Sequence, residues 1–389
     1  MSSRRAHIIN ASGSLLIPAS ALLVSPILAR ALGPFERGLF SNDQALIMIA
    51  SSIFALGISD TVSVNWRQWS TASRRRVSLF NAFTGALFGL LLAGFASVTS
   101  EPSLWVLTLI VIGGCTLAIA RHARGIAINH KRISAVGVEK WVTALGRLLL
   151  TVVLAPLGLL SVEAALATII LPQVVGAVYL LILTRRDHND AEKVPTDRRA
   201  LIWMIGGGTA SVILVNVDQA ILLPFIGPTE LGYYSIAVTI AEVYTAAAKP
   251  FRDAAMATDS VSSIRKNIWA CILALSGMSV VAAAVMWFGV PLVFGADYTP
   301  AIAACYIMTI GGVAKGAGFL LNGTLGRTGQ VRVRFYMTWL AAIVNIGLIP
   351  VFAPWGAVGA ATAATIGYFV LMLGGLPFAL RGTRMPPID

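Results

Sequence analysis

Charged side chains are scarce in this sequence. Asp, Glu, Lys and Arg make up 12% of the 389 residues, about half the share that is usual in soluble domains. Hydrophobic residues supply 57% of the chain, and the mean hydropathy is +0.80. So little charge cannot cover the surface of a soluble protein of this length. The composition therefore excludes an ordinary cytosolic enzyme and a disordered chain.

Cysteine, histidine and catalytic motifs are also sparse. The three cysteines, Cys115, Cys271 and Cys305, are odd in number and lie in apolar runs, which excludes a disulfide scaffold. The four histidines lack metal-ligand spacing, and the sequence has no phosphate-binding loop. The longest hydrophilic connection has about fifteen residues, which is too short for a catalytic domain. We therefore expect no enzyme activity, no catalytic residue, no metal and no cofactor.

Long apolar runs are what the sequence does have. A helix that crosses a bilayer needs about 17–25 apolar residues, and twelve runs of about this length follow one another along the chain. We expect an all-α integral membrane protein with twelve transmembrane helices. The predicted spans are Ile8–Leu32, Gly38–Ile58, Val77–Thr99, Leu104–Ala120, Trp141–Leu160, Val162–Thr184, Leu201–Ile226, Leu231–Ala248, Ile268–Phe294, Ala301–Leu325, Phe335–Phe352 and Trp355–Leu380.

The basic residues predict the orientation of these spans. The chain has 29 Lys and Arg against 17 Asp and Glu, for a net charge of +12. If both termini are cytoplasmic, 25 of the 29 fall on the inner side, where positive residues are retained. We therefore expect a multi-pass protein of the cell (inner or plasma) membrane with cytoplasmic termini. The basic charge marks topology and some contact with membrane lipids, and we expect no nucleic acid partner.

An internal repeat predicts two lobes. Shifted by 194 residues, Ile27–Ser41 lies over Ile221–Ser235 with seven of fifteen positions identical, at the turn that follows the first span of each half. A second, shorter sequence similarity relates Ala155–Gly158 to Ala353–Gly356. Six spans per half is an even number, so the halves run in parallel, as in alternating-access transporters. We expect two parallel-repeat six-helix lobes around a central cavity, comprising residues 1–186 and 201–389, with a cytoplasmic linker at 187–200.

Several stretches resemble a known family. They are Ala29–Ser41, Asp218–Ala237, Leu292–Ala301 and a run from Leu321 to Val370 that includes LNGTLGRTGQ and PWGAVGAATAATIGY. In this order they are similar to the oligosaccharide flippases, or polysaccharide exporters, of the multidrug/oligosaccharidyl-lipid/polysaccharide transporter superfamily. The resemblance implies transport of a lipid-linked oligosaccharide, a polysaccharide repeat unit, from the inner to the outer leaflet by alternating access. The implied passenger is linked to a polyprenyl pyrophosphate, and a polysaccharide polymerase and glycosyltransferases are implied partners.

Five basic side chains are candidate ligands of the anionic pyrophosphate of such a transported lipid, which we call the passenger. Ionisable residues within spans cost about 2.5–3.5 kcal/mol each on insertion scales, so they usually face protein or water. Arg and Lys bind phosphate through charge-assisted hydrogen bonds. Arg121 and Lys315 are related by the 194-residue shift and are expected near the cytoplasmic ends of their spans. Snorkelling to the interface is the alternative for these two residues and for Arg124. The candidate set is Arg30, Arg147, Lys315, Arg121 and Arg124.

Polar residues in the second half are candidates for a coupling cation site. In some relatives such a site lies on the first helix of this half and is completed by its last two helices. Asp218 would be the central ligand here, with Asn345, Thr365 and Glu242 as further members. Asp218 and Asn345 are predicted at different depths, which leaves a pore-wall role or a salt bridge from Asp218 to an arginine as the alternative.

Small residues and prolines predict bending or close packing in the first span of each half. Gly13 and Pro18 lie in the first span, and Gly206, Gly207 and Gly208 lie at the equivalent place in the seventh. Glycine and proline permit helix bending, so these five residues are candidate hinges of alternating access. Close helix packing at the small residues is the alternative.

Three other functions compete with the flippase. A drug or cation antiporter of the same superfamily would share the fold but needs a cavity rich in acidic residues. A major-facilitator carrier would show a Gly-x-x-x-Asp-Arg signature, which is missing between the second and third spans. A membrane-embedded polysaccharide polymerase or ligase would need a large outer loop, and every predicted outer connection is short.

Overall fold

Helices account for all the regular secondary structure in the described part of the chain. The computed structural model describes residues 3–52, 71–100, 102–184, 198–257 and 260–381. Within these ranges it contains two 3-10 helices, Ala296–Ala301 and Ala353–Trp355, and eleven α-helices. The α-helices are α1 (Ser3–Ala50), α2 (Thr71–Thr99), α3 (Leu104–Asn129), α4 (Ile133–Leu154), α5 (Val162–Thr184), α6 (Arg198–Ile221), α7 (Leu223–Ala257), α8 (Val261–Phe294), α9 (Ile302–Arg327), α10 (Val331–Phe352) and α11 (Gly356–Arg381).

The helices are long and apolar enough for a multi-pass membrane protein. Seven helical stretches of the described residues qualify as membrane spans, and an eighth is the α6–α7 pair, which bends by 97°. The fourth predicted span continues past Ala120, since α3 ends at Asn129. The seventh ends earlier than expected, because the bend separates Ile221 from Leu223. Residues 53–58 of the second predicted span and 187–197 of the predicted linker lie outside the described ranges.

The turn predicted by the repeat appears twice with the same backbone geometry. Gly33 interrupts α1 with φ 70° and ψ 174°, and Gly227 interrupts α7 with φ 78° and ψ 169°. The following residue is a proline in both cases, Pro34 and Pro228. Positive φ is accessible to glycine at little cost, and proline fixes φ at a helical value for the first residue of the next helical segment. The Gly-Pro pair therefore joins two helical segments at a kink without a loop.

Gly33 is needed for its backbone conformation alone, since a Cβ placed there would meet nothing within 4 Å. We expect Gly33→Ala to lower the free energy of unfolding by about 1–2 kcal/mol, because an L-residue resists positive φ. The matched control is Gly94→Ala in α2, which also has open space but lies within a helix. That change should be neutral or stabilising by about 0.5–1 kcal/mol. Thermal unfolding of both purified variants in detergent measures the difference, and equal midpoints would contradict the prediction.

The chain divides into two compact units, unit one (Met1–Val212) and unit two (Ile213–Asp389). In unit one α1 packs along α4, α3 packs against α2 and α5, and α4 also contacts α5. In unit two α9 packs against α7, α8 and α11, and α10 packs against α11. The sequence-based lobe boundary at residues 187–200 stays a prediction.

The helix α9 is the most buried span of unit two, and its glycines bring its neighbours close. A Cβ on Gly312 would lie 2.6 Å from the ring of Tyr244 on α7. A Cβ on Gly316 would lie 2.7 Å from Leu275 on α8. The absence of side chains at these two positions lets α7 and α8 approach the α9 backbone directly. Lys315 lies between these two glycines in sequence and contacts Glu242 on α7 and Tyr368 on α11.

Candidate functional site

Lys315 is the buried charge at the centre of unit two. Its side chain is 5% exposed, and its ammonium donates a hydrogen bond to Oε1 of Glu242 on α7, forming an ion pair. The Nζ atom also lies 5.4 Å from the ring centroid of Tyr368 on α11, a cation–π distance. Glu242 is 46% exposed, so one partner of the pair is enclosed and the other is accessible.

Asp218 of α6 belongs to the same polar group. The residue is 1% exposed. Its Oδ2 accepts a hydrogen bond from the hydroxyl of Tyr234 on α7, and its Oδ1 accepts one from the backbone N–H of Gln219 at 2.8 Å. Asp218 also lies within electrostatic range of Lys315 and Tyr368. We call Asp218, Tyr234, Glu242, Lys315 and Tyr368 the unit-two cluster.

The cluster joins two groups of candidates that the sequence analysis had kept apart. Lys315 was predicted as a ligand of an anionic passenger near one end of its span, whereas Asp218 and Glu242 were predicted as cation ligands. Lys315 lies instead in the middle of α9 (Ile302–Arg327), with about 18–20 Å of helix on either side. The bounds of α9 are close to those of the predicted span Ala301–Leu325, so the central position of the lysine follows from the span itself, and a side chain that far from both ends cannot snorkel to an interface.

Asn345 and Thr365, the other two candidate cation ligands, have their own surroundings in unit two. Asn345 of α10 is fully buried, packs on Gly367 of α11, and both of its amide atoms lack a hydrogen-bond partner among the described residues. The hydroxyl of Thr365 donates to the backbone oxygen of Ile307 at 3.4 Å and lies against Gly311 of α9. Their membership of one cation site with Asp218 stays a prediction.

In unit one Arg124 and Arg121 have protein partners. Arg124 of α3 forms a two-pronged ion pair with Glu139 of α4, with Nε–Oε2 and Nη2–Oε1 distances of 2.9 and 2.7 Å. Glu139 is completely buried. Arg121 donates to the backbone oxygen of Ser51 at 3.0 Å and to the Ser52 hydroxyl. Because Ser51 follows the last residue of α1, Arg121 satisfies a carbonyl at the helix end.

Arg147 and Arg37 form a second group of positive charge in unit one, in which Arg37 is buried and Arg147 is half-buried. The Nε of Arg147 on α4 is buried and has no hydrogen-bond partner among the described residues. Arg37 of α1 is 6% exposed, donates to the Ser25 hydroxyl at 3.0 Å and lies within electrostatic range of Arg147. We call Arg37 and Arg147 the arginine pair. Arg30, in contrast, has an exposed side chain.

The candidate hinge residues lie within continuous helix. Gly13 is at a close crossing with α4, since a Cβ there would lie 2.9 Å from the backbone oxygen of Gly137. Pro18 and the run Gly206–Gly208 are in α1 and α6, whose bends occur elsewhere, at Gly33 and after Ile221. The packing alternative accounts for Gly13, and a hinge role for the other residues stays a prediction.

A family profile described as polysaccharide biosynthesis protein matches residues 4–256, which is more than half of the chain. The chain belongs to this family. The resemblance inferred from the sequence motifs is thereby confirmed for the polysaccharide biosynthesis family. No curated protein matches the chain in sequence. The matched residues include unit one from Arg4 onward, and Asp218, Tyr234 and Glu242 of the unit-two cluster.

Solved structures show the fold of this polysaccharide biosynthesis family member. An inward-facing multidrug resistance MATE family transporter of the MOP superfamily matches with TM-score 0.64 and 14% identity, over 96% of this chain and 97% of that one. The lipid II flippase MurJ, in an inward closed conformation, matches with TM-score 0.71 and 12% identity, over 96% and 87%. A MOP superfamily transporter from Pyrococcus furiosus matches with TM-score 0.59 and 14% identity, over 97% and 95%. The family member therefore has the fold of MOP superfamily transporters.

Sequence reasoning missed several functional and structural residues of the two units. Arg37 lies between the first two predicted spans and was not among the candidate ligands, but its side chain is buried. Glu139 fell outside the predicted span that begins at Trp141. Tyr234 and Tyr368 carry no charge and looked like ordinary core aromatics. Glu230 was visible in the sequence, because the 194-residue repeat aligns it with Glu36. Its carboxylate accepts a hydrogen bond from the backbone N–H of Ala357 at 2.8 Å and so caps the start of α11.

Proposed function

We propose that this protein is a flippase that moves a lipid-linked oligosaccharide from the inner to the outer leaflet by alternating access. Membership of the polysaccharide biosynthesis family supports the sugar part of the passenger. The fold shared with the lipid II flippase MurJ supports a lipid-linked one. A polymerase and glycosyltransferases acting on the same polyprenyl-linked repeat unit are the partners that this function requires.

The arginine pair is the observation that carries the proposal. Arg37 and Arg147 lie within electrostatic range of each other, so their positive charges repel, and burial raises the free energy of the Arg37 charge. The Nε of Arg147 is a donor with no partner among the described residues. A pyrophosphate supplies two negative groups and many acceptor oxygens, and guanidinium binds phosphate oxygens in a two-pronged geometry. The arrangement therefore suits an anionic headgroup better than a cationic drug.

We also propose twelve membrane crossings with cytoplasmic termini in the inner or plasma membrane. The stretch Ile9–Ala50, which is interrupted at Gly33, has 42 residues, or about 63 Å of helix, which is twice the hydrocarbon thickness. The break at Gly33 supports two crossings there. Eleven helices with α1 counted twice give twelve crossings, and the inside excess of basic residues supports the orientation.

A cation antiporter of the same superfamily is the second candidate. One observation favours it: a pocket of about 260 Å³ in unit one is lined by Glu36, Asp43 and Glu163 together with serine residues. Carboxylates attract cationic passengers. The lining of this pocket includes neither Arg37 nor Arg147, so the two candidates use different residues and can be separated experimentally.

The test of the flippase is direct. In a deletion strain we expect an undecorated lipid-linked oligosaccharide to accumulate, and in vesicles containing the purified protein we expect the same lipid to become accessible to an impermeant sugar-oxidising reagent. Vesicles carrying protein inactivated by heat are the control. If neither accumulation nor translocation occurs, and the vesicles instead exchange an amphipathic cation such as ethidium, the antiporter is the correct function.

A further inference from the structure

A polar pocket lies where the predicted outer connections of unit one meet. Its walls come from α1 after the Gly-Pro pair, from the α2–α3 connection and from the start of α5. The volume is about 260 Å³, below the range of about 300–1,000 Å³ that is typical of sites for drug-sized ligands. A pocket of this size suits one small ring. We call it the outer pocket, and its polar and aromatic lining includes Phe35, Glu36, Asp43, Ser103, Ser161 and Glu163.

Asp43 of α1 is the buried carboxylate of the outer pocket. The residue is 3% exposed and lines the pocket. Its Oδ1 accepts a hydrogen bond from the Asn42 amide at 3.3 Å, and its Oδ2 accepts none from the described residues. A buried carboxylate oxygen without a donor costs free energy, because the loss of its water is not repaid. Asp43 therefore has capacity for a ligand that donates hydrogen bonds inside the pocket.

The other acidic groups of the outer pocket make the same demand on a ligand. Glu163 accepts a hydrogen bond from the Ser103 hydroxyl at 2.9 Å and lies within electrostatic range of Asp43. Glu36 is exposed, and the described lining contains no Lys or Arg. Ionised carboxylates accept hydrogen bonds and cannot donate them. The ligand must therefore supply donors such as hydroxyl groups, and an anionic group such as pyrophosphate would be repelled.

An aromatic ring lies at the same pocket. Phe35 lines it and is 55% exposed, so much of the ring is accessible. The face of an aromatic ring carries negative partial charge, which attracts polarised C–H groups. A sugar ring has hydroxyl groups around its edge and C–H groups on its faces. The carboxylates and Phe35 therefore match the two kinds of surface that a sugar presents.

The repeat shows that the fold does not require the two less exposed carboxylates of this pocket. Moved forward by 194 residues, Asp43 falls on Ala237, which is 0% exposed. Moved by the 198 residues of the second sequence similarity, Glu163 falls on Ala361, which is also 0% exposed. Two polar lining residues keep polar counterparts, Glu36 on Glu230 and Ser103 on Asp297. Buried carboxylates cost free energy in a membrane protein, so their presence in one unit alone indicates function.

Glu36 differs from its repeat counterpart in the use of its carboxylate. Glu230 caps α11 by accepting from the Ala357 N–H. At the corresponding start of α5 the Ser161 hydroxyl accepts from the Ala164 N–H at 3.3 Å, so this helix has its own cap. Glu36 lines the outer pocket instead. Unit one thus keeps for the pocket a carboxylate that unit two uses to hold a helix.

We propose that the outer pocket binds one neutral sugar ring of the passenger, with its carboxylates accepting hydrogen bonds from the sugar hydroxyls and Phe35 packing against the ring. The inference rests on the proposed function, since it gives a place to the sugar end of the lipid-linked oligosaccharide. The arginine pair takes the pyrophosphate, so the two ends of the passenger go to sites of opposite charge. Sugars that carry a carboxylate, such as uronic acids, are disfavoured in the outer pocket.

Binding of simple glycosides tests the inference without any lipid-linked substrate. Saturation-transfer NMR of the purified protein should detect saturable binding of at least one of the methyl glycosides of glucose, galactose, mannose and N-acetylglucosamine. The methyl glycoside of glucuronic acid should bind more weakly than that of glucose, by about 10-fold, because the carboxylates repel it. Asp43→Asn keeps the size of the side chain and should weaken binding by about 10-fold, since hydrogen bonds to charged acceptors are the stronger ones.

Asp297→Asn is the matched control for Asp43→Asn. Asp297 is an exposed carboxylate at the repeat counterpart of Ser103 in unit two, so its loss should leave glycoside binding unchanged. Glu36→Gln and Phe35→Leu cover the case in which Asp43→Asn does not fold, because both residues are exposed. Each should weaken binding by about 3- to 10-fold.

Three results would overturn the inference. The first is that the folded wild type binds none of the four neutral glycosides. The second is that the folded pocket variants bind them as well as the wild type does. The third is that the wild type binds ethidium and no glycoside, and that Asp43→Asn abolishes the ethidium binding. That last result also supports the antiporter.

Translocation in vesicles separates this inference from the proposed function. We expect Asp43→Asn to slow translocation of the lipid-linked oligosaccharide, in parallel with its weaker glycoside binding. Translocation by a wild type that binds no neutral glycoside contradicts the inference alone. Glycoside binding that the pocket variants weaken, in a protein that translocates no lipid-linked oligosaccharide, supports the sugar site and contradicts the proposed function.

Discussion

Arg147→Met is expected to slow translocation of the lipid-linked oligosaccharide by about 10- to 100-fold. A hydrogen bond to a charged group contributes about 1.5–3 kcal/mol, and loss of that amount in the rate-determining complex corresponds to this range. Methionine keeps the length and apolar stem of the side chain, so α4 should pack as before. The effect would therefore report the loss of the guanidinium and not a cavity.

Two further variants make the Arg147 result specific. Arg147→Lys keeps a positive charge but lacks the two-pronged donor, so it should retain an intermediate rate. Arg265→Met is the matched control: Arg265 is exposed and donates to the backbone oxygen of Leu380 at 3.0 Å in unit two, so translocation should be unchanged. Initial rates in vesicles measure all three. Wild-type rates in correctly folded Arg147→Met would mean that the arginine pair does not bind the passenger.

Arg124→Met is expected to destabilise the protein by about 3–5 kcal/mol. Removing the arginine leaves the Glu139 carboxylate fully buried with its charge uncompensated. Thr143 offers only one weak hydrogen bond to it, at 3.4 Å. A Cβ on Gly176 would lie 2.9 Å from the Glu139 Cγ, so α5 covers the carboxylate closely and restricts the entry of water.

Companion variants should separate the charge from the packing. Glu139→Gln should cost less than Arg124→Met, because the Arg124 side chain is 31% exposed and can turn toward solvent. The double variant Arg124→Met/Glu139→Gln should recover part of the loss, since no buried charge remains. Reversible unfolding in mixed micelles gives the free energy for each member of this double-mutant cycle. Strictly additive losses would show that the two residues are energetically independent, contrary to the ion pair.

The arginine pair and the pair of Arg124 with Glu139 differ in a way that bears on function. Arg124 is matched by one carboxylate with both oxygens engaged, an arrangement that stabilises the helix contact. Arg147 retains a buried donor without a partner among the described residues. Structural ion pairs satisfy their members, whereas binding sites keep capacity for a ligand. For this reason we propose that Arg147, which lies within electrostatic range of Arg37, binds the headgroup, and that Arg124 has a structural role.

Local sequence determined the helices and the turns. A run of apolar residues must form a helix in a bilayer because its backbone groups have no other partners, so the apolar spans were visible without a structure. The Gly-Pro turns at Gly33 and Gly227 were visible too, because only glycine readily takes positive φ. The family was recognisable from the order of its motifs. These features depend on residues that are close in the chain.

Tertiary structure alone decided the partners of the charged residues. Lys315 and Glu242 are 73 positions apart, and Arg121 reaches Ser52 across 69. Whether such residues meet depends on how each helix is rotated about its axis, and almost uniformly apolar helices carry little periodic signal for that rotation. The rotation is set by close packing, such as that of Gly312 and Gly316 against α7 and α8. The sequence therefore identified the charges in the membrane, and the packing of the helices decided which of them are paired and which can bind a passenger.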